Sequence, residues 1–339
     1  MKFSSLAFSP MPRPRVLITR RIPAAGLQLL EKAKYQIDLY TEDKVIPRRE
    51  LLRRIQGVDA LLCLLTDQID EEVIIAAGAS LKIIANYAVG FDNIDLSATK
   101  IALIPVTNTP VPEMSEAVAD HTVGLLLALA HRIVEGDLFA RAKKYQGWSP
   151  DLLVGSDIVG KTIGIIGLGH IGTAVAKRTV NGFGMRCLYS SPHRDPGFEK
   201  QYGGSYRSLD QLLQESDFVT LHVPLLPSTR HLISTAEFAL MKKTAFLINT
   251  ARGPVVNEKA LLRALKTKRI AGAALDVFEC EPAIDCDLTD RLELRALPNT
   301  ILTPHIASAT KGTREAMSIC AAKNIIAVLS GRDPLNPAM

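Results

Sequence analysis

Two groups of residues in this chain have types and spacing that could carry chemistry. Gly167-Leu168-Gly169-His170-Ile171-Gly172 fits the phosphate-binding pattern G-x-G-x-x-G. It follows the apolar run Thr162–Ile166 and opens a stretch with apolar spacing at Ile171, Val175 and Ala176, which is the strand-turn-helix context the pattern requires. In that setting Gly167 permits a tight turn, Gly169 lets the backbone approach a pyrophosphate, and Gly172 lets helix and strand pack closely. The N–H groups of the helix start, around His170 and Ile171, then face the phosphates. The second group is Arg252, Glu281 and His305, each at or just beyond the end of a strand-like run. Reduction of a 2-keto acid needs a hydride donor, a cation for the carboxylate and carbonyl, and a proton donor. Arg252 supplies a planar cationic fork, and His305 supplies a proton near neutral pH. A carboxylate such as Glu281 beside the ring favours its protonated form.

The strand-like run Met185–Tyr189 should end in an acid if the cofactor is NAD, because that acid holds the ribose hydroxyls. It leads instead into Ser190-Ser191-Pro192-His193-Arg194, with no carboxylate before Asp195. Ser191, His193 and Arg194 could accept a 2′-phosphate, so NADP is the expected cofactor and NAD the alternative. Thr250 and Ala251, just before Arg252, join the candidate cofactor contacts.

These residues need a scaffold of strand ends. Arg15–Thr19, Tyr35–Tyr40, Ala60–Leu65, Leu81–Ala88 and Ile104–Thr107 read as strands, with helices over Pro23–Ala33, Arg48–Gln56 and Asp70–Ala77. A long apolar helix is expected over Ser115–Val134, then a loop over Tyr145–Ser156 containing Trp148, the sole tryptophan. Strands and helices alternate again from Thr162 to Thr303, and a last helix runs from about Ser308 to Ser330. Such alternation implies parallel sheets covered on both faces, whose carboxyl ends line a ligand crevice.

The 339 residues allow about two domains. Hydrophobic residues make up 47% and charged residues 22%, enough for cores without metal or disulfide staples. The net charge of +5 is scattered and not gathered into a basic stripe with aromatics, which argues against nucleic acid. Five cysteines without a C-x-x-C pair point to no zinc site, no disulfide framework and a reducing, cytoplasmic setting. The longest apolar run, Val123–Ala130, is too short for a membrane span, and Met11 is an alternative start.

Together Gly167–Gly172, Asn249–Gly253, Leu275–Pro282 and Leu302–Ile306 resemble the D-isomer-specific 2-hydroxyacid dehydrogenases, and the resemblance runs from Arg15 to Pro334. Asn86–Asn93 and Val111–Asp120 look closest to its glyoxylate/hydroxypyruvate reductase branch. The resemblance implies an α/β chain of two doubly wound parallel-sheet domains, a Rossmann cofactor domain and a flavodoxin-like substrate domain, with a cleft between them. The substrate domain would be discontinuous, over 1–110 and 306–339, with the dinucleotide-binding domain at 111–305. Arg252, Glu281 and His305 match the catalytic residues, the N–H groups of Val89 and Gly90 the holders of the substrate carboxylate, and Asp276 a contact to the nicotinamide carboxamide. His170 stands where many relatives have arginine or lysine. The implied partner is a second copy in a homodimer, joined through the Ser115–Val134 helix and the Trp148 loop.

The expected activity is therefore hydride transfer between NAD(P)H and a small 2-keto or 2-hydroxy acid such as glyoxylate or hydroxypyruvate. The alternatives are a dinucleotide-sensing, corepressor-like binding protein and an NAD-preferring dehydrogenase for a larger hydroxy acid. His121 reads as a core or interface residue, and His222 as a strand-end residue with a smaller claim to the cofactor edge.

Overall fold

A computed structural model describes residues 13–281 and 294–338; Met1, Met11, Pro282 and Cys286 fall outside them. The chain divides into two compact units, Met1–Val111 with Arg314–Met339, and Pro112–Thr313. Near the second boundary Ile306 and Ala307 donate their N–H groups to Asp276, and the Thr313 hydroxyl donates to the Glu113 carbonyl.

The first unit holds a parallel sheet of strands β1 (Arg15–Ile18), β2 (Gln36–Leu39), β3 (Ala60–Cys63), β4 (Ile83–Asn86) and β5 (Val106–Thr107). Their spatial order is β2-β1-β3-β4-β5, the flavodoxin-like arrangement, which reverses direction between β1 and β3. β3 and β4 are buried throughout, as strands covered on both faces must be. Helices α1 (Ala24–Lys32), α2 (Arg48–Arg54), α3 (Glu71–Ala77) and α4 (Leu96–Ile101) connect them. Asp70 caps α3 and Asp95 caps α4 through their carboxylates. The C-terminal helix, Lys311–Leu329, belongs mostly to this unit; its Ser318 hydroxyl accepts the Gly26 N–H.

The second unit opens with α5 (Pro112–Ala130) and α6 (Ile133–Arg141). The single helix expected over Ser115–Val134 is broken. The Ala130 carbonyl accepts the Ser156 N–H, and Arg132 takes a left-handed φ of 53°, so the chain turns before α6 begins. Its parallel sheet contains β6 (Thr162–Ile166), β7 (Arg186–Ser190), β8 (Ser205–Tyr206), β9 (Phe218–Leu221), β10 (Phe246–Asn249), β11 (Gly272–Leu275) and β12 (Thr300–Leu302). The order is β12-β11-β10-β9-β6-β7-β8, with the reversal between β6 and β9. Helices α7 (His170–Phe183), α8 (Pro196–Tyr202), α9 (Leu209–Glu215), α10 (Thr235–Leu240) and α11 (Glu258–Lys266) complete it. Successive residues of β10 enter opposite cores, Leu247 one and Phe246 and Ile248 the other, so both faces are covered.

Cys63, Cys187 and Cys320 are free thiols. Among the described residues no helix is long and apolar enough to cross a membrane, and no cluster of His, Cys, Asp or Glu could hold a metal ion.

Candidate active site

The glycine loop lies at the β6/β9 reversal, where doubly wound sheets bind ligands. Its three glycines play different parts. Gly167 has φ 95°, and a Cβ there would lie 2.6 Å from the His222 carbonyl oxygen at the end of β9. A Cβ on Gly172 would run into the Gly167 carbonyl, so helix and strand pack at backbone distance. A Cβ on Gly169 would meet nothing within 4 Å, which leaves the backbone there open to a close ligand. Among the described residues no side chain caps α7 and no acid sits in its first turn, a helix start suited to an anion. The residues present therefore fit a dinucleotide pyrophosphate.

β7 ends at Ser190, and Ser191, His193 and Arg194 follow; His193 and Arg194 are exposed. Arg194 is exposed, but its Nε and Nη2 already bond the two Glu199 oxygens at 2.8 and 2.7 Å. Hydrogen bonds from Arg194 and from the Tyr189 hydroxyl hold the Glu199 carboxyl down at about 2. Reading only the residues directly after the strand missed this acid, which lies one turn into α8.

Arg252, Glu281 and His305 follow three neighbouring strands. Asn249, Leu275 and Leu302 stand in register at the ends of β10, β11 and β12. Arg252 lies three residues past the first and His305 three past the last. The Arg252 turn is shaped by Asn249, whose amide donates to the Arg252 carbonyl and whose oxygen accepts the Ala251 N–H. The Thr250 hydroxyl bonds that of Thr122 on α5 at 2.9 Å. The His305 backbone has a φ of 54°, rare for a residue with a Cβ, and its N–H donates to the Asp276 carbonyl. Its Nδ1 lies 2.6 Å from Glu281 Oε2, and both side chains are about one quarter exposed, so the pair is at once fixed and reachable.

Asp276 occupies the space behind this pair. Its side chain is fully enclosed, and it accepts from the Thr303 hydroxyl at 2.6 Å and from the N–H groups of Ile306 and Ala307. Burial alone would raise its pKa. Hydrogen bonds from His121, Thr303, Ile306 and Ala307 outweigh that and keep the carboxyl below the usual range. His121 thus faces the strand ends: its Nε2 is 3.2 Å from the Thr303 hydroxyl and 3.5 Å from Asp276. The sequence reads His121 as a core or interface residue because every neighbour from Thr122 to Ala130 except Gly124 is apolar or methyl-bearing; one polar residue in such a helix is the available signal.

In the first unit, Val89 and Gly90 form the turn after β4. The Asn108 and Asn86 amides hold their carbonyl oxygens at 2.8 and 2.9 Å. Asn86 also donates to Asn93, which in turn donates to the carbonyls of Leu64 and Asp67.

Residues 123–307 match the family model for the NAD-binding domain of D-isomer specific 2-hydroxyacid dehydrogenases. The chain belongs to that family. It is an NAD(P)-dependent dehydrogenase that moves a hydride between its cofactor and a small 2-keto or 2-hydroxy acid. A glyoxylate reductase from Thermococcus kodakarensis is 48% identical over 326 residues, 95% of each chain. One from Korarchaeum cryptofilum is 46% identical, over 96% of this chain and 95% of its own. Among solved structures, a Thermus thermophilus protein aligns at TM-score 0.88 and 42% identity, covering 96% of this dehydrogenase and 100% of its own chain. An NADPH-dependent glyoxylate/hydroxypyruvate reductase from Sinorhizobium meliloti, solved with NADP and malonate, aligns at 0.81 and 30% identity, covering 96% and 97%.

Proposed function

We propose that this dehydrogenase reduces glyoxylate and hydroxypyruvate, with His305 as the proton donor. The observation that carries the reading is the 2.6 Å contact between His305 Nδ1 and Glu281, which leaves the opposite ring nitrogen to face a substrate. A bound nicotinamide cofactor supplies the hydride to the keto carbon. His305 gives its Nε2 proton to the keto oxygen, and Glu281 holds the ring in place through Nδ1. Arg252 binds the substrate carboxylate and polarises the carbonyl. Val89 and Gly90 are assigned to substrate binding, and the unit of residues 112–313 to the cofactor. Consumption of NADPH at 340 nm with glyoxylate, hydroxypyruvate and larger 2-keto acids tests this reading. Preference for the two small acids is expected; turnover confined to the larger acids would overturn it.

NADPH is proposed as the better cofactor, because no acid stands at Ser190 or Ser191 and His193 and Arg194 are exposed just beyond. Glu199 favours the second reading, NADH, since it already neutralises Arg194.

A homodimer is also proposed. Ile133, Val134 and Leu138 of α6 are exposed, and Trp148 is 84% exposed. α6 borders a cavity of about 610 Å³, mostly apolar, between it and the edge strand β12. Single exposed apolar residues are ordinary, but a run of them beside an apolar cavity marks an interaction surface.

A further inference from the structure

Behind the Glu281–His305 pair lies a second polar group that the proposed reaction does not use. Glu258 opens α11, and Glu279 stands two residues before Glu281. Each donates its backbone N–H to the carboxylate of the other: Glu279 N–H to Glu258 Oε1 at 2.5 Å, and Glu258 N–H to Glu279 Oε2 at 3.2 Å. The remaining Glu279 oxygen meets His231 Nε2 at 2.5 Å. The other His231 ring nitrogen faces the Asn257 amide at 3.5 Å, and its backbone N–H donates to the Pro254 carbonyl at 2.7 Å. Glu258 is buried at the N-terminal end of α11, and its carboxylate accepts the Glu279 N–H there.

The consequence concerns aim. Three segments are tied together: the His231 loop, the stretch after Arg252, and the turn that leaves β11. That last turn closes through the Glu281 N–H donating to the Phe278 carbonyl at 3.2 Å, so the direction of Glu281 depends on how Phe278 and Glu279 are held. Backbone packs on backbone here as well, since a Cβ on Gly253 would collide with the Phe278 carbonyl. We propose, building on the reading under Proposed function, that Glu279 is a positioning residue. Through Glu258 and His231 it fixes the turn that directs the Glu281 carboxylate at His305 Nδ1. It touches neither substrate nor cofactor in this scheme; its effect passes through Glu281. A displacement of about 1 Å in such a constellation is enough to cost up to about a hundredfold in rate.

A double-mutant cycle on the full-length enzyme tests the proposal, with kcat measured for glyoxylate and NADPH in Glu281→Gln, Glu279→Ala and the double variant, and folding checked by circular dichroism. Glu281→Gln is expected to lower kcat by at least about tenfold, and Glu279→Ala by about tenfold. The double variant should be no slower than Glu281→Gln alone, because the second change acts only through a group already removed. Wild-type turnover in Glu279→Ala, or losses that multiply in the double variant, would overturn the positioning role while leaving Glu281 in place. Wild-type turnover in Glu281→Gln would instead sink the role of Glu281 under Proposed function, and the positioning role with it. If Glu279→Ala does not fold, Glu279→Gln replaces it in the cycle. That variant matches the size of the native side chain and keeps an oxygen for the Glu258 N–H, so a smaller loss, again absent in the Glu281→Gln background, is the supporting result, and additive losses are the contrary one.

Discussion

Under the proposed cofactor reading, Glu199 is the residue that bears on the choice between NADPH and NADH. Its carboxylate holds Nε and Nη2 of Arg194, so a 2′-phosphate must compete with an ion pair already formed. Glu199→Gln removes that competitor and one negative charge. The ratio of kcat/KM for NADPH over NADH should rise by about twofold to fivefold, a modest effect because Arg194 is solvent-exposed. An unchanged or lower ratio would mean that Arg194 takes no part in selecting the cofactor. His222 makes a prediction about stability. Burial presses its imidazole down to about 3 from an ordinary 6.5, and its Nδ1 is buried without a partner. The unfolded chain therefore binds a proton below 6.5 that the folded chain refuses until about 3, so the folded state loses stability as pH falls across that window. Melting temperatures measured between pH 7 and pH 4 should fall less steeply for His222→Gln than for the wild type; equal slopes would contradict it. At this scale the sequence was legible where chemistry and spacing coincide, as in Gly167–Gly172 and in His305 beside Glu281. It was silent where a partner comes from elsewhere in the fold. Nothing near Arg194 in a strand-end pattern announces a counter-ion on the next helix, and nothing around His121 announces that Asp276 lies across from it.

At the scale of elements, the proposed site depends on three adjacent strand ends and on how closely their loops approach. Gly253 is the tightest point, because any Cβ there meets the backbone of Phe278 and not a side chain that could move aside. Gly253→Ala should cost about 1–3 kcal/mol or more in stability, as overpacking does. It should also lower kcat, because it separates the Arg252 loop from the turn that carries Glu281. Chemical denaturation and turnover on the same preparation check both halves; a variant with native stability and native turnover would show that the two loops move apart freely. The strands themselves were readable in sequence, since buried parallel strands are short apolar runs. The ends of α5 were less so. Its apolar pattern runs on to Val134, but the helix stops where Ser156 takes the Ala130 carbonyl, and a loop partner more than twenty residues away leaves no trace in local periodicity. Short elements such as α4, α8 and β8 carry too few residues to show a period.

At the scale of the molecule, each of the two units has a strand-order reversal: at β6/β9 beside the glycine loop in one, and at the ends of β1 and β3 in the other, where the Thr19 hydroxyl donates to Asp67 at 2.5 Å. The apolar face of α6 makes the prediction that belongs here. Leu138→Asp should shift the protein from dimer to monomer in light scattering coupled to size exclusion; a wild-type chain already monomeric at micromolar concentration would contradict the homodimer.

The central claim is that His305 delivers the proton, and single-turnover kinetics of His305→Asn with NADPH and glyoxylate tests it most directly. Provided the variant is folded and still quenches or shifts NADPH fluorescence on binding, the rate of NADPH oxidation should fall by at least about a hundredfold. A rate within a fewfold of the wild type would contradict the account.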